Sequence, residues 1–168
     1  MFEIGDYVIN ANNGICKIEE KVHLDLPMSD KKKLYYLMVP VKEKTTKLYI
    51  PVDSEKQRIR RTMDAMQALE IIDQMPEIEA VWISDDKQRE KRYKEAIFSC
   101  EPRQLVAVLK CMYQRNQQRC AEGKKSASID ERYFKMAENN LYSELAFAMQ
   151  KDREEIKQFI EQRIHAKE

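Results

Sequence analysis

A chain of 168 residues can hold one sizeable core or two small ones, since a core drawn from fewer than about 70–80 residues is marginal. Hydrophobic residues make up 43% and charged residues 35%, the balance of a folded, helix-rich protein with a heavily charged surface. This composition excludes a membrane-spanning helical class, because no apolar run approaches the ~20 residues of a span. It also excludes a uniformly basic nucleic-acid binder: net charge is +1, and division after Arg61 leaves +3 before and −2 after. Any nucleic-acid contact must therefore rest on a local patch. The opening Met1-Phe2-Glu3-Ile4-Gly5-Asp6 lacks the regions of a signal peptide, so a cytoplasmic protein is expected.

Residues 1–60 follow the grammar of strands. Tyr7-Val8-Ile9 and Ile15-Cys16-Lys17-Ile18 flank Asn12-Asn13-Gly14, whose Asn-Gly step suits a tight hairpin turn. A polar loop from Asp25 to Lys33 precedes the aromatic and β-branched run Leu34 to Val41, and Leu48-Tyr49-Ile50 repeats that pattern. Pro40 and Pro51 each remove a ladder donor and are expected at strand ends or on an edge. The expectation is a small, strongly bent sheet or barrel.

After Arg60-Arg61 the period becomes helical. Met66, Leu69, Ile72 and Met75 predict one helix face, closed by Pro76. Ser84 is placed to cap a second helix reaching about Ser99. Pro102 opens a third, with Leu105, Val108, Leu109 and Met112 on its buried side. Ser128 and Glu131 have capping-box spacing ahead of the stripe Tyr133, Ala137, Leu141 and Leu145; Asp152 and Glu155 stand similarly before Ile156, Phe159 and Ile160. The fold class expected is α+β: a β domain over residues 1–60, then a bundle of about five helices over residues 61–168.

No catalytic constellation emerges. Only three glycines occur, Gly5, Gly14 and Gly123, which leaves neither a P-loop nor a dinucleotide fingerprint. Cys16, Cys100, Cys111 and Cys120 contain no C-x-x-C pair and are expected as free thiols filling core space. A Cys16–His23 nucleophile is the nearest approach to catalysis, and ordinary core burial explains Cys16 better. The chain is expected to be no enzyme, with no cofactor, no metal, no membrane contact and no small-molecule substrate.

Two features stand out. Trp82, the only tryptophan, is followed by Lys87, Arg89, Lys91, Arg92 and Lys94. Lys87, Lys91 and Lys94 share an i, i+4, i+7 face, and such a row can neutralise phosphates while a neighbouring aromatic wedges into a minor groove. The competing account has Trp82 plugging the helix bundle, with Asp85, Asp86, Glu90 and Glu95 cancelling the field. The second feature is Lys42-Glu43-Lys44-Thr45-Thr46-Lys47, leading into Leu48-Tyr49-Ile50-Pro51. It reads either as a sheet edge open to a partner or as a charge-protected hairpin.

At these residues the sequence resembles the CarD/CdnL family. Phe2-x-Ile4-Gly5-Asp6-x-Val8, the Asn13-Gly14 turn, Tyr36-Leu37-x-Val39 and Ile50-Pro51 are similar to its N-terminal module, a Tudor-like bent sheet shared with transcription-repair coupling factors. Trp82, Arg92-Tyr93-Lys94 and Leu141-Tyr142-x-Glu144-Leu145-Ala146 are similar to its helical module. The resemblance implies a monomeric regulator without catalytic residues. Its β domain would bind the RNA polymerase β subunit through the region of Lys44, Lys47, Tyr49 and Pro51. Its helical domain would contact promoter DNA, minor groove and phosphate backbone, at the upstream edge of the bubble. Trp82 takes the wedge position there, with Lys87, Arg89, Lys91, Arg92 and Lys94 beside it. This chain departs from the family in a longer spacing between Trp82 and Arg92-Tyr93-Lys94, and in Tyr49 where some members carry arginine. An adaptor that binds polymerase through the β domain and a second protein through the helices is the alternative.

Overall fold

The computed structural model describes residues 1–54 and 59–166. The fold is α+β: a curled antiparallel sheet of five strands followed by five helices. The chain divides into two compact units, Met1–Thr62 and Met63–Glu168.

In the first unit the strands are β1 (Tyr7–Asn10), β2 (Gly14–His23), β3 (Leu34–Pro40), β4 (Leu48–Pro51) and β5 (Ile59–Arg61), in sheet order β4-β3-β2-β1-β5. The β1–β2 hairpin turns at Gly14, whose φ of +69° is costly for other residues. Asn13 keeps a negative φ, and the Asn10 side-chain oxygen closes the turn by accepting from the Asn12 and Asn13 amides. A register shift between Ile18 and Glu20 marks a bulge in β2, which bends the strand and increases its twist. Pro40 and Pro51 are the last residues of β3 and β4, where a missing amide costs least.

One face of the sheet buries Val8, Cys16, Ile18, Tyr36, Met38 and Ile50. The N-terminal segment is tied to this unit by its own residues. The Phe2 amide donates to the Tyr36 hydroxyl at 2.9 Å, and the two rings meet edge to face at 5.9 Å. Gly5 takes φ +93°, and the Asp6 carboxylate accepts from the Glu3 amide and from Arg61 of β5 at 2.8 Å. The Gly5-Asp6 pair thus joins the start of the unit to its last strand.

The second unit contains α1 (Ala65–Gln74), α2 (Asp86–Ser99), α3 (Pro102–Ala121), α4 (Ser128–Met149) and α5 (Arg153–His165). Pro102 occupies the first turn of α3, and Asp152 with Glu155 forms a capping box on α5. α4 is central and packs on all four other helices, burying Tyr133, Ala137, Leu141 and Leu145.

Four expectations are corrected. Met66 is 82% exposed: Ile72 and Met75 are buried as expected, but Ala68 and Ile71 complete the buried face in its place. Asp85 caps α2 in place of Ser84, its carboxylate accepting from the Lys87 amide. The α4 N-cap is Ala127: Ser128 is already helical, and Glu131 accepts from the Ser126 hydroxyl rather than closing a box. Cys16, Cys100 and Cys111 lie in the cores, but Cys120 is exposed near the end of α3.

Glu144 is a buried carboxylate on α4 that accepts from the Met63 amide at 2.9 Å. Glu144→Ala leaves that amide short of an acceptor and opens space beside α4. The expected loss is about 2–4 kcal/mol in chemical denaturation, with Glu144→Gln milder because it keeps an acceptor.

Candidate polymerase and nucleic-acid interfaces

In the first unit β4 is one of the two outer strands of the sheet, paired only with β3 among the described strands. Lys44 and Lys47 are exposed ahead of it and make no ion pair with a described residue. Tyr49 is 43% exposed and stands opposite Leu37 on the face away from the core; Pro51 is half-buried. This is an edge carrying one aromatic and two free cations. It suits strand addition or a side-chain contact with an acidic partner surface.

In the second unit Trp82 is 60% exposed, so it is no bundle plug. It lies in residues 78–85, which have neither helix nor strand, yet that stretch is held on both sides. The Val81 amide donates to the Ala107 carbonyl at 3.4 Å. Lys110 of α3 donates to the carbonyls of Pro76 at 3.2 Å and Ile78 at 2.6 Å, and burial lowers its pKa. Arg89, expected among the cations facing DNA, is 7% exposed and turned inward. Its guanidinium donates to the Ile83 carbonyl at 3.3 Å, the Ser84 carbonyl at 3.2 Å and the Asp86 carboxylate at 2.6 Å. A guanidinium so paired and buried is not placed to meet a phosphate.

The remaining cations of α2 are exposed. Lys87 makes no side-chain bond with a described residue. Lys91 and Arg92 share Glu95, at 4.0 and 3.5 Å. Exposed pairs of this kind are worth about 0–1 kcal/mol, so either cation can exchange its partner for a phosphate at small cost. Lys94 is held more firmly, 3.4 Å from Glu90. The Tyr133 hydroxyl, donating at 2.9 Å, and then Lys94 hold the Glu90 carboxyl below the usual carboxylate range; Glu90 in turn raises Lys94. A cleft of about 360 Å³ between α2 and α3 is lined by Val81, Arg92, Glu95, Arg103 and Gln104, among others. Arg103 is exposed there and donates to the Gln74 side chain.

The Cys16–His23 pairing finds no support. They stand seven positions apart on one strand, roughly 20 Å. Burial pushes the Cys16 thiol up to about 11, far from a neutral-pH thiolate. Among the described residues no group of three or more His, Cys, Asp or Glu side chains is placed to hold a metal ion. No described helix is long and apolar enough to cross a membrane.

Residues 2–63 match the family model described as the CarD-like/TRCF RID domain, and residues 67–161 match that of the CarD C-terminal domain. The chain belongs to the CarD family. No curated protein matches it. CarD-family domains are regulatory interaction modules, and the chain is a CarD-type regulator that interacts with RNA polymerase.

Proposed function

We propose that the β4 edge engages the polymerase β subunit while the helical unit contacts promoter DNA at the upstream edge of the bubble, stabilising the open complex. In this reading Trp82 is the minor-groove wedge. Lys87, Lys91 and Arg92 meet phosphates, Lys94 contributes less, and Arg103 joins Arg92 from across the cleft. The supporting observation is an exposed indole on an irregular segment whose neighbours are both hydrogen-bonded to the bundle. A large aromatic so presented to solvent gains by stacking or wedging, where a buried one has nothing to offer a partner.

The energetics ask for little. A factor that binds open complex better than closed by about 1.4 kcal/mol shifts that equilibrium tenfold. One aromatic contributes about 1–3 kcal/mol by stacking on a base. Tethering through polymerase supplies a high local concentration, so free DNA affinity can be weak.

The test is a promoter-opening assay with purified polymerase, with and without the protein, at several salt concentrations. Arg103→Glu is expected to weaken the effect on every promoter alike and to flatten its salt dependence, as loss of a phosphate contact requires. Polymerase capture should be unchanged in the same variant. An Arg103→Glu protein indistinguishable from wild type would remove the α3 side of the cleft from the interface. If the protein does not alter opening at all, the proposed function fails.

A further inference from the structure

We propose that Arg89 and Lys110 are positioning residues for Trp82: the buried Arg89 and the half-buried Lys110 grip the 76–84 segment by its carbonyls and fix the backbone from which the indole is presented. The effect on DNA rests on the wedge role proposed above; the geometry does not.

Residues 78–85 have no regular ladder to satisfy their peptide groups, so those groups need other partners. Four carbonyls of the segment, on Pro76, Ile78, Ile83 and Ser84, accept from just two side chains, Lys110 and Arg89. Bonds from charged donors are stronger than those between neutral groups. Arg89 shares the inward stripe of α2 with Tyr93, Ala96 and Ile97, at i, i+4, i+7 and i+8. A buried cation is costly unless it is paired, and here Asp86 supplies the counter-charge while the Ile83 and Ser84 carbonyls accept from Nε and Nη2, so that each guanidinium nitrogen has a partner. Only a planar fork reaches the Ile83 and Ser84 carbonyls and the Asp86 carboxylate together; a lysine is a single point donor group.

Trp82 sits between the two grips. Its preceding neighbour Val81 donates to Ala107 of α3, and its following neighbour Ile83 accepts from Arg89 of α2. The side chain is free to meet a partner while its backbone is fixed. Ordering of the segment's backbone is thus completed on folding and need not be supplied when DNA binds.

Trp82 is the only tryptophan, so its emission reports this segment alone. Time-resolved fluorescence anisotropy of the full-length protein should show in the wild type a fast component limited to rotation of the indole about its own side-chain bonds. Arg89→Leu should roughly double the amplitude of that nanosecond component, and Lys110→Met should raise it less. Arg89→Lys should fall between Arg89→Leu and wild type. Polymerase capture should be unchanged, while the effect on promoter opening falls about three- to tenfold. An unchanged anisotropy decay in a folded Arg89→Leu protein overturns the proposal. If Arg89→Leu does not fold, Arg89→Lys decides, and a wild-type decay there overturns it equally. Released anisotropy with full promoter activity supports the grip and counts against the wedge instead.

Discussion

Trp82→Ala is expected to leave polymerase capture and the helical fold intact while reducing the effect on open-complex formation roughly tenfold. The indole is 60% exposed, so truncation opens no core cavity. The melting temperature should therefore move by no more than a surface substitution moves it, about 0.5 kcal/mol in stability. A buried tryptophan would instead cost about 3–5 kcal/mol on truncation. Thermal unfolding and promoter opening measured on one preparation separate the two cases. A folded Trp82→Ala protein with full activity would defeat the wedge, and would turn attention to a protein partner for the helices, the adaptor alternative. Trp82→Phe should retain part of the effect, since a smaller ring still stacks.

Tyr49→Ala should weaken polymerase capture by about 10–30-fold, the scale of an aromatic hot spot. Tyr49 is on an edge strand and faces away from Val8, Cys16, Ile18, Tyr36, Met38 and Ile50. Its cross-strand neighbour Leu37 should hold the fold with a loss under about 1 kcal/mol. Lys47→Glu, on the exposed approach to β4, should act mainly on the association rate and lose its effect in high salt. Binding measured at two ionic strengths distinguishes the variants. Unchanged capture in both would move the contact to another part of the sheet.

Much of this architecture is legible in the sequence, and the failures have physical causes. The strand-to-helix change, Pro102 at the start of α3 and the box at Asp152 and Glu155 depend on local rules, and local rules sufficed. On α1 the stripe holds at Ile72 and Met75 but fails at Met66, because Ala68 is neutral in a hydrophobic pattern whereas Met66 is apolar but exposed. At α2 the adjacent Ser84 and Asp85 compete for the cap, and spacing does not say which one wins; the α4 N-cap falls on Ala127, one residue before the serine, without a side-chain cap. Arg89 was legible and was missed: two residues from Lys87 is about 200° around the helix, so it lies opposite the Lys87–Lys91–Lys94 row. It falls in register with Tyr93 and Ala96, which are buried. Arg103 and Lys110 were out of reach. Their roles depend on how α3 packs against α2 and the 76–84 segment, which no period in the sequence encodes.

The two cores are unequal, and this bears on how long the protein lasts in a cell. Among the described residues the β unit gathers six buried core residues, against twenty in the helical unit. Small cores are marginal, so the β unit is the part whose transient opening a protease would sample first. A partner that recognises only the folded unit closes that opportunity, adding about 2.7 kcal/mol at a hundredfold excess over its Kd. Proteolytic turnover then falls on molecules that have no polymerase to hold, and the surviving pool follows the number of enzymes available to bind it.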